Sequence, residues 1–305
     1  MREWLRAGFR SVYARVLRRE ISGVPSHVAV IQDGNRRYAR ERGTDASDGH
    51  RAGARTTERV LEWCAELGVD ELTLYAFSTE NFDRPLAERE HLFDLLEEKL
   101  TEFADADRVH EDGVRVRAIG DTARLPERVQ SAIAYAENRT REYDSFTLNV
   151  AVAYGGRAEL LEAATDVARA VDSGDLDPAD VTADTVGSRL YDGEVRDVDL
   201  IVRTGGDERT SNFLPWHANG NEAAAVFSTP YWPAFSRIDF LRAIRTYEAR
   251  RASWRRTRAR RALALVRALG GEVKEARRVL DRFRDHLPNS PTPVEDAEAD
   301  STTAD

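Results

Sequence analysis

The chain has 305 residues, 41% of them hydrophobic, so it is long enough for one large α/β domain or two ordinary ones with a substantial core. Its formal net charge of −9 makes nucleic acid a poor candidate partner. No apolar run reaches the roughly 18 residues of a membrane span and no signal peptide is recognisable, which predicts a cytoplasmic protein.

The charged residues point to an environment of high salt. Acidic residues number 54 against 45 basic ones, and the only lysines in the chain are Lys99 and Lys274. An acidic excess with arginine in place of lysine predicts a halophilic protein, in which salt screens the repulsion between like charges.

The first predicted element is an amphipathic helix over residues 1–22. Its apolar side chains fall on one helical face, and arginines are interspersed among them. The apolar set consists of Trp4, Leu5, Phe9, Val12, Tyr13, Val16 and Leu17. A basic helix with aromatic side chains can lie on a membrane surface, but the same pattern suits a helix that packs on its own domain or on a partner. The sequence leaves these alternatives open.

Strand patterns and helical patterns then alternate along residues 23–250. This alternation predicts one α/β domain with a mainly parallel, six-stranded sheet flanked by helices. The predicted strands are Val28–Gln32, Glu71–Phe77, Val114–Ile119, Phe146–Ala153, Val198–Arg203 and Ala223–Phe227. The predicted helices between them are Gly49–Leu67, Glu88–Ala106, Pro126–Tyr143 and Arg157–Asp172. The single cysteine, Cys64, falls in an apolar helical run and is expected in the core.

The segment His27–Tyr38 carries the strongest functional signal. Its apolar strand leads to Asp33, and a glycine and Asn35 then form a strand-to-helix turn. Ligands of parallel sheets bind at the carboxyl ends of strands, and N–H groups at a helix start, with Arg36 and Arg37, favour an anion. A carboxylate beside an anion site calls for a neutralising cation, so the segment suggests a diphosphate held with a metal ion. The alternative is that Asp33 and Asn35 only cap the helix.

A second polar loop follows the second strand, within Leu74–Pro85. It places hydroxyl, carboxyl, amide and guanidinium groups between and beside Phe77 and Phe82. An ordinary turn explains Asn81 and its polar neighbours but not the two aromatic side chains. Aromatic rings next to polar groups suit a ligand with an apolar body and a polar head.

The third segment, Asp199–Phe213, ends a strand on Arg203. Two glycines follow and permit a close approach of the backbone, and Arg209 and Ser211 come next. Guanidinium groups match phosphate oxygens in geometry, so this loop predicts a second oxyanion site. The alternative is a salt-bridged loop, because Asp207 stands among these residues.

Two isolated residues complete the candidates. His50 begins the helix after the first anion site and is close enough in sequence to join it, although a residue of the first helical turn without a role is equally plausible. Glu222 precedes the last strand and is either a second acidic metal ligand or a plain surface acid.

Beyond the domain, residues 251–287 are predicted to form an arginine-rich helical extension and residues 288–305 a disordered acidic tail. The stretch from Arg250 to Arg261 contains no acid. It suits a solvated or dimer-flanking helical face, or contact with anionic lipid headgroups.

Two anion sites, a carboxylate between them and aromatic side chains nearby are what the joining of two diphosphate-bearing lipids requires. The chain lacks the G-x-x-x-x-G-K-[ST] loop of nucleotide hydrolases and the G-x-G-x-x-G turn of dinucleotide enzymes.

Several motifs in the same order resemble the cis-prenyltransferases, in particular the undecaprenyl diphosphate synthases and their archaeal and eukaryotic counterparts. The resemblance runs from about His27 to Arg250. Its motifs are His27–Tyr38, Gly49–Gly53, Leu72–Pro85, Thr147–Arg157, Asp199–Phe213 and Tyr231–Phe235. Arg36 stands where bacterial members commonly have glycine, which together with the halophilic composition implies an archaeal enzyme.

The resemblance implies a homodimeric α/β fold with an apolar tunnel and a requirement for Mg²⁺. An allylic diphosphate, geranylgeranyl or farnesyl diphosphate, would be elongated by successive condensations with isopentenyl diphosphate. The product would be a long Z-polyprenyl diphosphate of the undecaprenyl type, the precursor of a glycosyl carrier lipid. The arginine-rich helices are expected to contact the inner face of the membrane peripherally.

The resemblance also implies roles for individual residues. Asp33 is the essential carboxylate and, with Glu222, a magnesium ligand, while Asn81 matches the position that assists proton removal. An amide is a poor base, so Asn81 is expected to orient the substrate while released diphosphate or water accepts the proton. The implied ligands of the allylic diphosphate are Gly34, Asn35, Arg36 and Arg37, with Tyr38 and His50 beside it. The implied lining of the site is Ser78, Thr79, Glu80, Phe82 and Arg84. The implied ligands of isopentenyl diphosphate are Arg203, Arg209, Thr210 and Ser211.

Two rival functions fit the sequence less well. A non-catalytic accessory subunit of a heteromeric synthase would tend to lose the catalytic aspartate and part of the anion sites, and this chain keeps both. An unrelated phosphate-ester hydrolase would need a positioned nucleophile, and no G-x-S-x-G turn is present.

Overall fold

Six parallel strands form one sheet in the order β3-β4-β2-β1-β5-β6. The strands are β1 His27–Ile31, β2 Glu71–Tyr75, β3 Val114–Ile119, β4 Phe146–Ala151, β5 Leu200–Arg203 and β6 Ala224–Phe227. All six strands predicted from the sequence are confirmed. Strands β2, β4, β5 and β6 are shorter than the predicted runs, although flanking residues such as Phe77 and Val152 are still fully buried.

The structure, a computed structural model, describes residues 2–190, 196–220 and 223–253. The helices are α1 Arg2–Glu20, α2 Asn35–Glu41, α3 Ala46–Leu67, α4 Leu86–Asp105, α5 Asp107–Glu111, α6 Glu127–Thr140, α7 Gly156–Asp172, α8 Ala183–Gly187, α9 Pro215–Gly220 and α10, described over 237–253. The four helices predicted between strands are confirmed as α3, α4, α6 and α7. Residues Met1–Arg251 form one unit and Ala252–Asp305 a second. Because the described residues end at 253, the predicted extension and acidic tail lie almost wholly outside them.

The two faces of the sheet carry separate apolar clusters, because side chains alternate along each strand. On one face, residues such as Val30 and Leu74 pack with α3, α4, α6 and α10. On the other face, Ala29 and Ile31 pack with Phe213 and neighbouring residues of the loop after β5. Cys64 belongs to the first cluster and is completely buried, as predicted, and burial raises the pKa of its thiol.

Helix α1 packs on its own domain by one face. Leu17 is buried, and the guanidinium group of Arg242 lies 5.5 Å from the centre of the Tyr13 ring. Arg18 donates a hydrogen bond of 2.7 Å to the carbonyl oxygen of Glu66. The packing alternative is therefore confirmed for this face, whereas Val12 and Val16 remain 56% and 46% exposed.

Candidate functional site

The candidate site lies where the order of the strands reverses. Strand β1 pairs with β2 on one side and with β5 on the other, and Ile31 stands opposite Arg203 in the register. Asp33 follows β1 by two residues, and Arg203 is the last residue of β5. A crevice at the carboxyl ends of strands at such a reversal is the usual ligand site of an open parallel sheet.

Asp33 lies between two arginines that come from different segments. Its Oδ2 accepts a hydrogen bond from Arg203 Nη2 at 2.7 Å, and its Oδ1 accepts one from Arg37 Nη2 at 3.1 Å. Burial alone would raise the pKa of the Asp33 carboxyl, but the hydrogen bonds and positive charges of Arg203 and Arg37 outweigh burial and lower that pKa. Asp33 is therefore ionised at neutral pH, which is a prerequisite for binding a cation.

Arg203 is the centre of the second predicted anion site. Its side chain is only 5% exposed, and its Nη1 donates to Ser211 Oγ and to the carbonyl oxygen of Arg209, both at 2.6 Å. Its Nη2 also donates to Asp207 Oδ2 at 3.1 Å, and Arg209 lies 3.5 Å from the same carboxylate. The predicted cluster of Arg203, Arg209 and Ser211 is thus assembled, and the salt-bridged loop considered as its alternative is present within it.

Two glycines with left-handed backbone let these segments meet. Gly34 has φ +101° and Gly205 has φ +85°, a region that favours glycine. A Cβ on Gly34 would come within 2.6 Å of the Tyr231 ring, and one on Gly205 within 2.7 Å of Arg37 Nη2. Arg37 Nη1 donates to the Gly205 carbonyl oxygen at 2.9 Å, so the first anion site is tied directly to the second.

Sequence reasoning missed Thr204, and it named Asp207 only as part of a salt-bridged loop. The Thr204 hydroxyl donates to the Asp33 carbonyl oxygen at 2.8 Å and accepts from the Asp33 N–H at 3.1 Å, which fixes the backbone of the carboxylate. Asp207 pairs with Arg203. Only the position of Thr204 next to Arg203 at the strand end could have drawn attention to it.

An apolar cavity of about 270 Å³ begins beside the site and extends between α3, α4 and the sheet. Its polar end is formed by Gln32, Asn35 and His50, and its walls are mostly leucine, valine and alanine side chains with Phe103 and Trp232. The predicted apolar tunnel therefore has a counterpart that starts at the first anion site.

His50 borders this cavity in its neutral form. Burial first, and then the positive charge of Arg84, lower the pKa of the His50 imidazole to about 4. Its Nδ1 is buried and makes no hydrogen bond within the described part of the chain.

Two predicted site arginines pair with the same carboxylate. Arg36, which is 59% exposed, lies 3.6 Å from Glu88, and Arg84 lies 2.7 Å from Glu88.

The polar loop after β2 forms a short 3₁₀ helix over Thr79–Asp83. Asn81 Oδ1 accepts a hydrogen bond from the Ser78 N–H at 3.1 Å, so Asn81 serves at least as a cap, which is the alternative that its sequence position suggested. Phe82 packs edge-on against Phe77 at 5.0 Å between ring centres.

The remaining predicted residues have contacts of their own. The Thr79 N–H donates to the Tyr154 carbonyl oxygen at 2.9 Å, and Thr210 accepts from the Phe213 N–H at 3.1 Å. Tyr38 lies under the guanidinium group of Arg42, 3.7 Å from its ring centre. Glu80 is exposed, but its charge contributes, after burial, to raising the pKa of the Tyr75 phenol to about 12.

The donor set fits a magnesium ion bound together with a diphosphate. Magnesium in such sites takes one or two carboxylates, and substrate phosphates complete its coordination. Asp33, 28% exposed at the mouth of the crevice, offers an ionised carboxylate. Among the described residues no group of three or more metal-binding side chains occurs, which such a shared site does not require. Glu222 lies outside the described residues.

Comparisons with known proteins agree with this geometry. The family model described as putative undecaprenyl diphosphate synthase matches residues 31–255. A protein of Halobacterium salinarum named tritrans,polycis-undecaprenyl-diphosphate synthase (geranylgeranyl-diphosphate specific) is 72% identical over 97% of each chain. One of the same name from Haloarcula marismortui is 65% identical over 95% of this chain and 96% of its own.

Solved structures of related proteins share the fold. Lavandulyl diphosphate synthase from Lavandula x intermedia, in complex with dimethylallyl diphosphate, has a TM-score of 0.69 and 33% identity over 73% of this chain and 95% of its own. A probable undecaprenyl diphosphate synthase from Campylobacter jejuni has a TM-score of 0.60 and 32% identity over 74% of this chain and 96% of its own. With the family model covering most of the described fold and these relatives matching along most of their length, the chain belongs to the undecaprenyl diphosphate synthase family.

Proposed function

We propose that this protein condenses geranylgeranyl diphosphate with successive isopentenyl diphosphates to give a Z-polyprenyl diphosphate of the undecaprenyl type. One observation carries the proposal: Asp33 joins Arg37 of one anion site to Arg203 of the other, beside the mouth of an apolar cavity. The names of the archaeal relatives support geranylgeranyl rather than farnesyl diphosphate as the primer.

In this function the two arginine groups bind two diphosphates side by side. The allylic C–O bond breaks, its electron pair stays on the leaving diphosphate, and Arg37 with the N–H groups of α2 stabilises the growing negative charge. The allylic carbon then bonds to the terminal alkene carbon of isopentenyl diphosphate, which leaves a positive charge on the substituted alkene carbon. A proton leaves the CH₂ group next to that carbon, and the C–H electron pair forms the new double bond. Released diphosphate or water accepts this proton, while Asn81 orients the substrate. The apolar cavity excludes water from the cationic carbon.

Asp33, with Glu222 as the second proposed ligand, would hold magnesium, which when bound supplies positive charge to the diphosphate oxygens. Titration of the purified protein with Mg²⁺ in the presence of a non-reactive allylic diphosphate analogue should give tighter analogue binding. The same affinity with and without Mg²⁺ would contradict the assignment.

The central test is turnover of the purified chain alone with radiolabelled isopentenyl diphosphate and a panel of primers. Asp33→Ala should lower turnover by about 10³-fold or more, while circular dichroism shows an intact fold. Asp166→Ala, which removes a carboxylate from the exposed pair with Arg169, is the matched control and should retain full activity. Activity of Asp33→Ala equal to the control, or no turnover by the unmodified chain, would favour the accessory-subunit alternative.

We further infer a homodimer with peripheral membrane contact, as the family resemblance implies. Sedimentation velocity would measure the dimer. Deleting residues 1–20 should lower co-sedimentation with membranes, and unchanged partitioning would argue that α1 serves only in packing. No described helix has the length and apolar character needed to cross a bilayer.

A further inference from the structure

A second groove, separate from the candidate site, is lined by four arginines. Arg15 and Arg18 of α1, Arg59 of α3 and Arg237 at the start of α10 surround a space of about 560 Å³ whose floor includes Trp63. Along α3, Arg59 lies about 14 Å beyond His50 at a rise of about 1.5 Å per residue. We call these four arginines and Trp63 the arginine groove.

The groove carries uncompensated positive charge in a chain whose net charge is −9. No carboxylate lines it. Arg237 pairs with Glu66. Arg18 and Arg59 instead donate to neutral oxygens, the Glu66 carbonyl and the Thr56 hydroxyl, each at 2.7 Å. Arg15 forms no ion pair within the described part of the chain. Three guanidinium groups are thus available to an anion.

The surroundings of the groove favour a phosphate that is attached to a lipid. Val12 and Val16, three residues before and one residue after Arg15 on α1, are 56% and 46% exposed. Arg59 is held over Trp63, with 5.9 Å from its guanidinium carbon to the ring centre. A basic cleft flanked by exposed apolar side chains matches a headgroup phosphate with hydrocarbon beside it.

A formed groove also suits a protein adapted to high salt. At about 1 M salt the screening length falls to roughly 3 Å, so a diffuse basic surface exerts little attraction. Guanidinium groups that contact a phosphate through paired hydrogen bonds act within that distance. A membrane contact in concentrated salt therefore needs converging arginines rather than a general positive charge.

We propose that the arginine groove binds the headgroup phosphate of an anionic membrane lipid and places Val12 and Val16 against the bilayer. This proposal does not depend on the synthase activity, since lipid binding is measured without turnover.

Vesicle flotation of the full chain tests the proposal at about 1 M potassium chloride. The protein should float with phosphatidylglycerol vesicles and not with phosphatidylcholine vesicles. Arg15→Gln combined with Arg59→Gln should lower the affinity about tenfold or more. Arg15→Gln alone should also lower the affinity for the vesicles. Since Arg15 makes no ion pair within the described residues, this substitution should leave the fold intact. The control pair Arg141→Gln with Arg169→Gln removes two other exposed arginines and should stay within about twofold.

A competition arm separates the groove from diffuse charge and from a free-anion site. Potassium phosphate should release the protein from vesicles at lower ionic strength than potassium chloride. Equal release by the two salts, equal loss in the control pair, or no flotation with phosphatidylglycerol would overturn the proposal. A third outcome would also overturn the proposal: the chain binds inorganic phosphate saturably, the Arg15/Arg59 variant does not, and neither binds vesicles. The groove would then be assigned to a soluble anion.

Discussion

At the scale of single residues, Arg203 illustrates how one side chain organises the site. It is nearly fully buried, and its two terminal nitrogens reach Asp33, Asp207, Ser211 and the backbone of Arg209. The guanidinium group is therefore fixed in position by the protein itself, which would lower the entropy lost on binding a diphosphate in the proposed function.

Arg203→Ala should raise the KM for isopentenyl diphosphate about tenfold or more and change the allylic KM less, because it removes a charge-assisted contact from one anion site. Arg36→Ala, which removes an exposed arginine near the other anion site, should show the opposite preference. Steady-state kinetics with each substrate varied in turn measures both. Equal effects of Arg203→Ala on the two substrates would contradict the proposed division of the anion sites.

The sequence identified Asp33, Arg203, Arg209 and Ser211 because each follows or ends a strand pattern. It did not identify Thr204 as a backbone clamp. That contact depends on the path of the loop, which turns through left-handed Gly205 and Gly206, and strand patterns carry no information about such a path. Asn81 had two interpretations from sequence, and the structure adds support to its capping role without testing the other.

At the scale of elements, the strands and central helices were predictable because continuous apolar runs and helical periodicity survive in the fold. Helix α1 was ambiguous because its pattern does not say which apolar residues face the protein. The structure divides them: Leu17 is 2% exposed, whereas Val12 and Val16 are exposed.

We therefore expect truncation of two neighbouring side chains of α1 to lower the free energy of unfolding by different amounts. Leu17→Ala should lower the free energy of unfolding by about 2–4 kcal/mol, because it leaves a cavity in packed surroundings. Val16→Ala should change it by less than about 0.5 kcal/mol. Urea unfolding of both variants makes the comparison, and a similar loss in both would show that α1 does not dock through Leu17.

At the scale of the whole molecule, buried histidines set the response to acid. Burial lowers the pKa of both His27 and His50 from 6.5 to about 4. The Nδ1 of His27 donates to the Arg196 carbonyl oxygen at 2.9 Å, and its Nε2 lies 2.7 Å from the Thr73 hydroxyl oxygen.

Stability should therefore fall as the pH drops from about 6.5 to about 4, since in this window the unfolded chain binds protons that the folded chain refuses. Across this whole window, each of the two histidines should lower the free energy of unfolding by about 3 kcal/mol. The lowered pKa of Asp33 acts in the same direction, since its contribution to stability is lost as the pH falls below its ordinary value of 3.8, so it adds to the loss below this window. Urea unfolding across the pH series measures the slope, and a flat profile would contradict the burial of neutral histidines.

Salt provides a second whole-molecule test. Raising the ionic strength from about 0.1 M to about 1 M shortens the screening length from about 10 Å to about 3 Å. The melting temperature should rise, because the net charge of −9 makes the folded chain repel itself. An unchanged melting temperature would count against the halophilic interpretation of the composition, which the Halobacterium and Haloarcula relatives support.

The pairing of Asp33 and Asp207 with Arg37 and Arg203 has one further consequence. In the proposed function, an arriving diphosphate would take over guanidinium groups that carboxylates of the crevice already hold. Binding is then an exchange of counterions within the protein rather than the capture of an anion by bare positive charge. Substrate affinity should consequently decrease only slightly as the ionic strength rises. A binding pocket of this type can therefore bind its substrate in concentrated salt.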